Sequence, residues 1–201
     1  MPQISRLVAG KKNPGRVNLY LDGKYAFALS LDEVVKNGLK KGKELTDEQV
    51  QVLKKTDDLN WAYAKILNFL SFRPRTEFEV RNRLKKYALI EAASTDWIIN
   101  KLTDQGYLSD LSFAQWFVES RIHNRPRSKR HLISELRAHG VDMSIINQVL
   151  KEIDETRSLE QLITKKRTLS RDKLLQFLLR RGFKYDLVQA KLNKSRYILE
   201  S

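Results

Sequence analysis

The first thirty residues alternate. Ile4–Ala9 and Arg16–Leu21 read as strands parted by Lys11-Lys12-Asn13-Pro14-Gly15. In the second run Val17, Leu19 and Leu21 stand against Arg16, Asn18 and Tyr20, the two-residue period of a strand with one face buried. Asp22-Gly23 is a two-residue hairpin signal, because the favoured turn needs positive φ at both central positions. Lys24–Leu29 reads as a third strand. Ser30-Leu31-Asp32-Glu33 then matches a capping box, in which the Ser and Glu side chains satisfy helix-start amides. That short helix should stop at Gly38. Thr46-Asp47-Glu48-Gln49 is a second box, opening a helix through about Lys55. The pattern predicts a small β-meander with two short helices over residues 1–58.

From Leu59 the period changes to that of helices. Aligning Thr76 with Ser128 and Ser170 superposes Val80, Leu132 and Leu174, then Leu84, Leu136 and Leu178. Gly140 and Gly182 coincide as helix-ending residues. Ile98, Ile146 and Val188 fall together, as do Leu102, Leu150 and Leu192, with a longer loop in the first unit. A further helix precedes each cap: Ala62, Ile66 and Leu70; Ala114, Val118 and Ile122; and a weaker set at Leu159, Leu162 and Ile163. The expectation is mainly α: three tandem three-helix repeats over 59–108, 109–154 and 155–201, forming an elongated curved array. Tandem helical units bury their faces against neighbours and expose long surfaces suited to extended partners.

Composition narrows the function. The 201 residues are 41% hydrophobic and 31% charged, with no cysteine, so disulfides and thiolate metal sites are excluded. No apolar run approaches the roughly 18 residues of a membrane span. The N-terminus lacks a signal-peptide pattern. The formal net charge is +14. Residues 1–58 hold 11 Lys+Arg against 8 Asp+Glu, and the remainder 27 against 16. The helical part therefore carries most of the surplus, as expected of a protein that meets a polyanion or an acidic surface. A solvated basic surface is the plain alternative.

The helix starts sharpen this. A helix N-terminus carries roughly half a positive charge and favours acids. Thr76 obeys, with Glu77 and Glu79 behind it. Ser128 is instead surrounded by Arg127, Lys129, Arg130 and His131. Lys165-Lys166-Arg167 precede Ser170, with Arg171 and Lys173 after it. An anion at such a start would be held by free amides and cations together, so the second and third starts are expected to face a polyanion. Arg121 lies near an apolar stripe and either pairs with an internal carboxylate or meets a ligand. No phosphate-binding glycine loop occurs. His123, His131 and His139 show no metal-ligand pattern, and Trp61, Trp97, Trp116, Phe69, Phe113 and Phe117 fall at core-like helical spacings. No catalytic residue and no cofactor is expected.

Certain stretches resemble a known family. Arg73-Pro74-Arg75-Thr76-Glu77 with Val80-Arg81 and Leu84, Gly106-Tyr107-Leu108-Ser109-Asp110 with Phe113-Ala114 and Arg121, and Leu132, Glu135-Leu136 and Gly140 together resemble the RecX family of bacterial recombination regulators. The resemblance covers about Leu59 to Leu192, and LYLDGKYAFALS is similar to an extension of longer members. The third repeat is the weakest match, with no RPR before its cap. The resemblance implies non-catalytic proteins of three three-helix repeats. It implies binding to the RecA–single-stranded-DNA filament and inhibition of RecA's ATP hydrolysis and strand exchange, with direct DNA binding in some members. The residues expected to face the partner are Arg73, Arg75, Arg81, Lys85, Arg125, Arg127, Lys129, Arg130, Arg171, Lys173, Arg180 and Arg181. A monomeric cytoplasmic protein is expected. The alternatives are a general DNA- or RNA-binding helical-repeat protein without a filament partner, and an adaptor for an acidic protein.

Overall fold

A computed structural model describes residues 1–10, 15–87 and 91–199, with side chains through Lys194. Of the predicted loop Lys11-Lys12-Asn13-Pro14-Gly15, residues 11–14 lie outside the described residues. β1 (Ile4–Ala9), β2 (Arg16–Leu21) and β3 (Lys24–Ser30) form an antiparallel sheet in the order β1-β2-β3. The hairpin closes with Leu21 paired to Lys24, and Asp22 and Gly23 take φ of 48° and 81°. Asp tolerates that left-handed conformation better than most side chains. Ser30 caps α1 (Leu31–Lys36) by accepting the Glu33 amide at 3.2 Å. Thr46 and Gln49 form the reciprocal box, at 2.9 Å and 3.2 Å. Ile4, Leu19 and Leu29 from the sheet pack with Val34, Leu39, Leu45 and Leu53.

The second predicted helix does not stop near Lys55. α2 runs from Asp47 to Ser71. Asp57, which lies inside α2, is only 4% exposed. It accepts two bonds of 2.7 Å from the Arg16 guanidinium and one of 3.2 Å from the Ser30 amide. The sheet thus neutralises a charge that local propensity alone would place in a loop. The predicted boundary at residue 58 therefore falls inside a helix. The chain instead divides into one unit of residues 1–69 and 83–100 and another of 70–82 and 101–201.

Among the described residues eight further helices follow: α3 (Glu77–Leu84), α4 (Ala92–Asp104), α5 (Asp110–Asn124), α6 (Lys129–Ala138), α7 (Met143–Leu150), α8 (Glu155–Lys165), α9 (Arg171–Arg180) and α10 (Tyr185–Leu199). The four aligned apolar triplets are buried in every repeat, from 0% exposure at Val80, Leu136, Leu178, Ile98 and Leu102 to 8% at Leu192. The helical period therefore identified the core. The second repeat closes around Phe113, Phe117, Leu132, Leu136 and Ile146, and the third around Leu159, Leu174, Leu178, Phe183 and Val188. Phe113 and Phe117 are core residues as expected, but Trp61, Trp97 and Trp116 are 37%, 41% and 37% exposed. An indole at the margin of an apolar stripe buries one edge and leaves the other in water.

Candidate functional site

The starts of α3 and α6 meet the following repeat in the same way. The Glu77 amide donates to the Asp110 carboxylate at 2.8 Å, and the Lys129 amide donates to Glu155 at 3.2 Å. Each acceptor is the first residue of the next repeat's first helix. The glycine that ends the next repeat's middle helix also presses on each helix start, against Phe78 in α3 and against the cap Ser128 in α6. A Cβ on Gly140 would lie 2.5 Å from the Phe78 Cβ, and one on Gly182 would lie 2.5 Å from the Ser128 Oγ. Both glycines have φ near +80°, so only glycine gives this conformation and this approach without strain. Thr76 and Ser128 are fully buried. The anion at the α6 start is thus Glu155, supplied by the chain itself. The expected outside anion is not met at the cap residue.

In the first joint Arg73, Arg81 and His139 are also paired internally. Arg73 grips Glu79 with bonds of 2.7 Å and 3.1 Å and lies near the Phe113 and Trp116 rings. His139 Nδ1 is 3.3 Å from the same carboxylate, while Thr76 Oγ1 donates to the His139 carbonyl at 2.7 Å. Burial alone would raise the Glu79 pKa. Arg73, the Thr76 amide and His139 outweigh it and hold the group below the ordinary glutamate range. Asp110 is pushed up by burial and by the Glu77 and Glu79 charges, against its bond from the Glu77 amide.

The candidate residues thus separate by environment. Arg73 is committed to Glu79, and Arg81 to Glu77 at 2.7 Å. Arg75 is half-buried, and Lys85 is exposed. Arg121 resolves to its structural alternative, bonding Glu135 at 2.8 Å with its guanidinium 4.4 Å from the Phe117 ring centre. Arg171 bonds Gln189 and Asn193 at 2.9 Å and 2.6 Å. Arg130 is exposed on α6 and Lys129 is half-buried. Lys173 and Arg180 line an open hollow of about 410 Å³ on α9.

Arg125, Arg127 and Arg181 converge. With Lys165 and Lys166 they line a recess of about 300 Å³, floored by Pro126, Leu162 and Phe177. Pro126 ends α5 by removing an amide and forcing its predecessor to extend, and Arg125 accordingly takes φ −146°, ψ 71°. This turn brings the loop beside the C-terminal ends of α8 and α9. Arg127 Nε is buried without a hydrogen bond, 3.4 Å from Glu135. Burial, then Arg127 and Arg125, lower the Arg181 pKa, with Glu135 acting in the opposite sense. Lys165 and Lys166 were legible as a basic run before the third cap, but their position beside Arg125 was not. Among the described residues no group of three His, Cys, Asp or Glu side chains could share a metal ion. No described helix is long and apolar enough to cross a membrane.

The fold is a helical-repeat one with an N-terminal sheet module, and its basic side chains gather at the second joint. Residues 2–46 match the Regulatory protein RecX N-terminal domain, 62–102 the first three-helix domain of RecX, and 109–150 the second. Regulatory protein RecX of Bacillus subtilis (strain 168) is 35% identical over 98% of this chain and 78% of its own length. The protein of the same name from Bacillus licheniformis is 33% identical over 98% and 79%. A crystal structure of regulatory protein RecX superposes with a TM-score of 0.70 at 27% identity, over 94% of this chain and 98% of that one. RecX from Lactobacillus salivarius gives a TM-score of 0.59 at 25% identity, over 69% and 97%. The chain belongs to the RecX family of regulatory proteins.

Proposed function

We propose that this protein binds the filament that RecA forms on single-stranded DNA. Binding inhibits RecA's ATP hydrolysis and strand exchange, and so modulates recombination and the SOS response. The protein acts by binding alone, as a cytoplasmic monomer without a cofactor. Membership of the RecX family along 98% of the chain carries this reading. The surface chemistry supports it: a polyanionic filament suits a surplus of cations gathered on tandem repeats. In this mechanism the repeats span neighbouring filament subunits and hold them against the movements that hydrolysis requires. Arg125, Arg127, Lys129, Arg130, Lys173, Arg180 and Arg181 supply contacts to acidic RecA surface or to DNA phosphates.

The test is RecA's DNA-dependent ATP hydrolysis with and without the protein, at two salt concentrations, beside anisotropy on bare single-stranded DNA. Inhibition below the concentration that coats bare DNA is expected. Tight DNA binding without inhibition would replace this reading by a nucleic-acid-binding repeat protein.

A further inference from the structure

The two joints use the same frame with different charges. Counted from their caps, Arg73 corresponds to Arg125, Arg75 to Arg127, Glu79 to His131 and His139 to Arg181. In the first joint Glu79 sits between Arg73 and His139 and satisfies both. In the second, the carboxylate position holds an imidazole and the histidine position holds a third arginine. At these two positions the carboxylate is lost and a cation is gained. Lys165 and Lys166 extend the same recess. The nearby carboxylate, Glu135, is held by Arg121 at 2.8 Å and stands 3.4 Å from Arg127. Like charges gathered in a partly desolvated hollow repel one another unless an anion joins them.

We propose that the recess between the second and third repeats is a seat for the phosphodiester backbone of a nucleic-acid strand, which supplies the anion that Glu79 provides in the first joint. Guanidinium forks match phosphate oxygens in pairs. The Pro126, Leu162 and Phe177 floor offers apolar contact to sugar and base. Phe177 also lines the neighbouring hollow that holds Lys173 and Arg180. The neighbouring hollow also carries Asp172, so it is less cationic than the recess, but Lys173 and Arg180 leave it a cationic surplus. Two basic hollows sharing one aromatic wall suit a chain of successive phosphates better than a single carboxylate side chain. The inference deepens the proposed function by assigning the surface that meets nucleic acid. It rests on that reading only for the biological source of the strand, because bare-strand binding is measured without RecA.

The experiment uses the full chain and a labelled oligothymidylate, read by anisotropy across a salt series. His131→Glu restores to the second joint the carboxylate of the first. It should weaken binding by about tenfold, the scale of one charge-assisted hydrogen bond, and leave the melting temperature unchanged or raised. Lys165→Ala/Lys166→Ala, on exposed positions, should weaken binding and reduce the log–log salt slope by about 0.7 for each phosphate that is no longer neutralised. Lys36→Ala/Lys40→Ala, a charge-matched pair in the N-terminal unit, should bind as the parent does. Parent-like binding by the Lys165/Lys166 pair, or equal weakening in the Lys36/Lys40 pair, overturns the seat. Displacement of the strand by polyglutamate at matched charge reassigns it to an acidic protein. RecA inhibition failing while the strand still binds through this recess sinks the proposed function and leaves the seat standing.

Discussion

The first joint is closed electrostatically and the second is open. Both have a buried cap, a helix-start amide bonded to the next repeat's acid, and a glycine pressed on the helix start, at Phe78 in the first and at Ser128 in the second. They differ at the third residue after the cap, Glu79 against His131, and at the residue before the glycine, His139 against Arg181. Backbone and glycine geometry hold the repeats together, so the side chains around that frame are free to diverge. In one joint they make an ion-pair cluster that adds rigidity. In the other they leave three arginines and two lysines around a recess. A repeat fold thus separates the residues that stack its units from those that meet a partner.

The largest effects should come from the glycines that both joints share. Gly140→Ala places a Cβ against the Phe78 Cβ, in left-handed backbone. It should cost about 2–4 kcal/mol, read as a fall in the urea midpoint. Gly182→Ala meets the Ser128 hydroxyl and the His131 ring, which can turn aside, so its cost should be smaller. Equal costs would mean that the second joint packs as rigidly as the first.

Next come the caps. Thr76→Val removes a buried hydroxyl that both accepts the Glu79 amide and donates to His139, a destabilisation of about 1–3 kcal/mol. Ser128→Ala removes the bond from the His131 amide, at about 0.5–2 kcal/mol. A larger effect at Ser128 would reverse the order of the two joints.

Glu79→Gln tests the charge that only the first joint has. The folded Glu79 pKa is lowered. Its contribution is full above the ordinary glutamate value and disappears as pH falls through the lowered one. The variant should therefore be less stable than the parent near neutral pH and converge with it in acid. A gap independent of pH would show that the ion pair contributes nothing. The smallest effect is expected at Asp110, whose folded pKa is raised. Its ionised form is disfavoured by folding, so the parent should lose stability relative to Asp110→Asn as pH rises through the raised value. Asn can still accept the Glu77 amide, so the difference should be confined to that pH dependence.

Much of the fold was legible before any coordinates. Asp22-Gly23 and Thr46 with Gln49 are local chemistry, and each formed the predicted turn or box. Ser30 caps α1 as predicted, but the Glu33 carboxylate turns to Asn37 and the Ser30 amide goes to Asp57 instead. The aliphatic residues four and eight positions beyond each cap, Val80 and five leucines, are buried in all three repeats. Reading failed where distant partners intervened. Asp57 did not break α2 because Arg16 meets it from 41 residues away. Arg73, expected to face the partner, is tied to Glu79, whereas Arg121 takes the internal carboxylate pairing that was one of its two readings. Three tryptophans at core-like spacing lie at the surface.

The sequence by itself determined the elements, the repeat and its core, because capping, turn geometry and helical period act over a few residues and leave their mark on neighbouring positions. Only the tertiary structure decided which cations are committed and which gather. Electrostatic pairing acts through space, and Arg125, Lys165 and Arg181 become neighbours only once α5, α8 and α9 have packed.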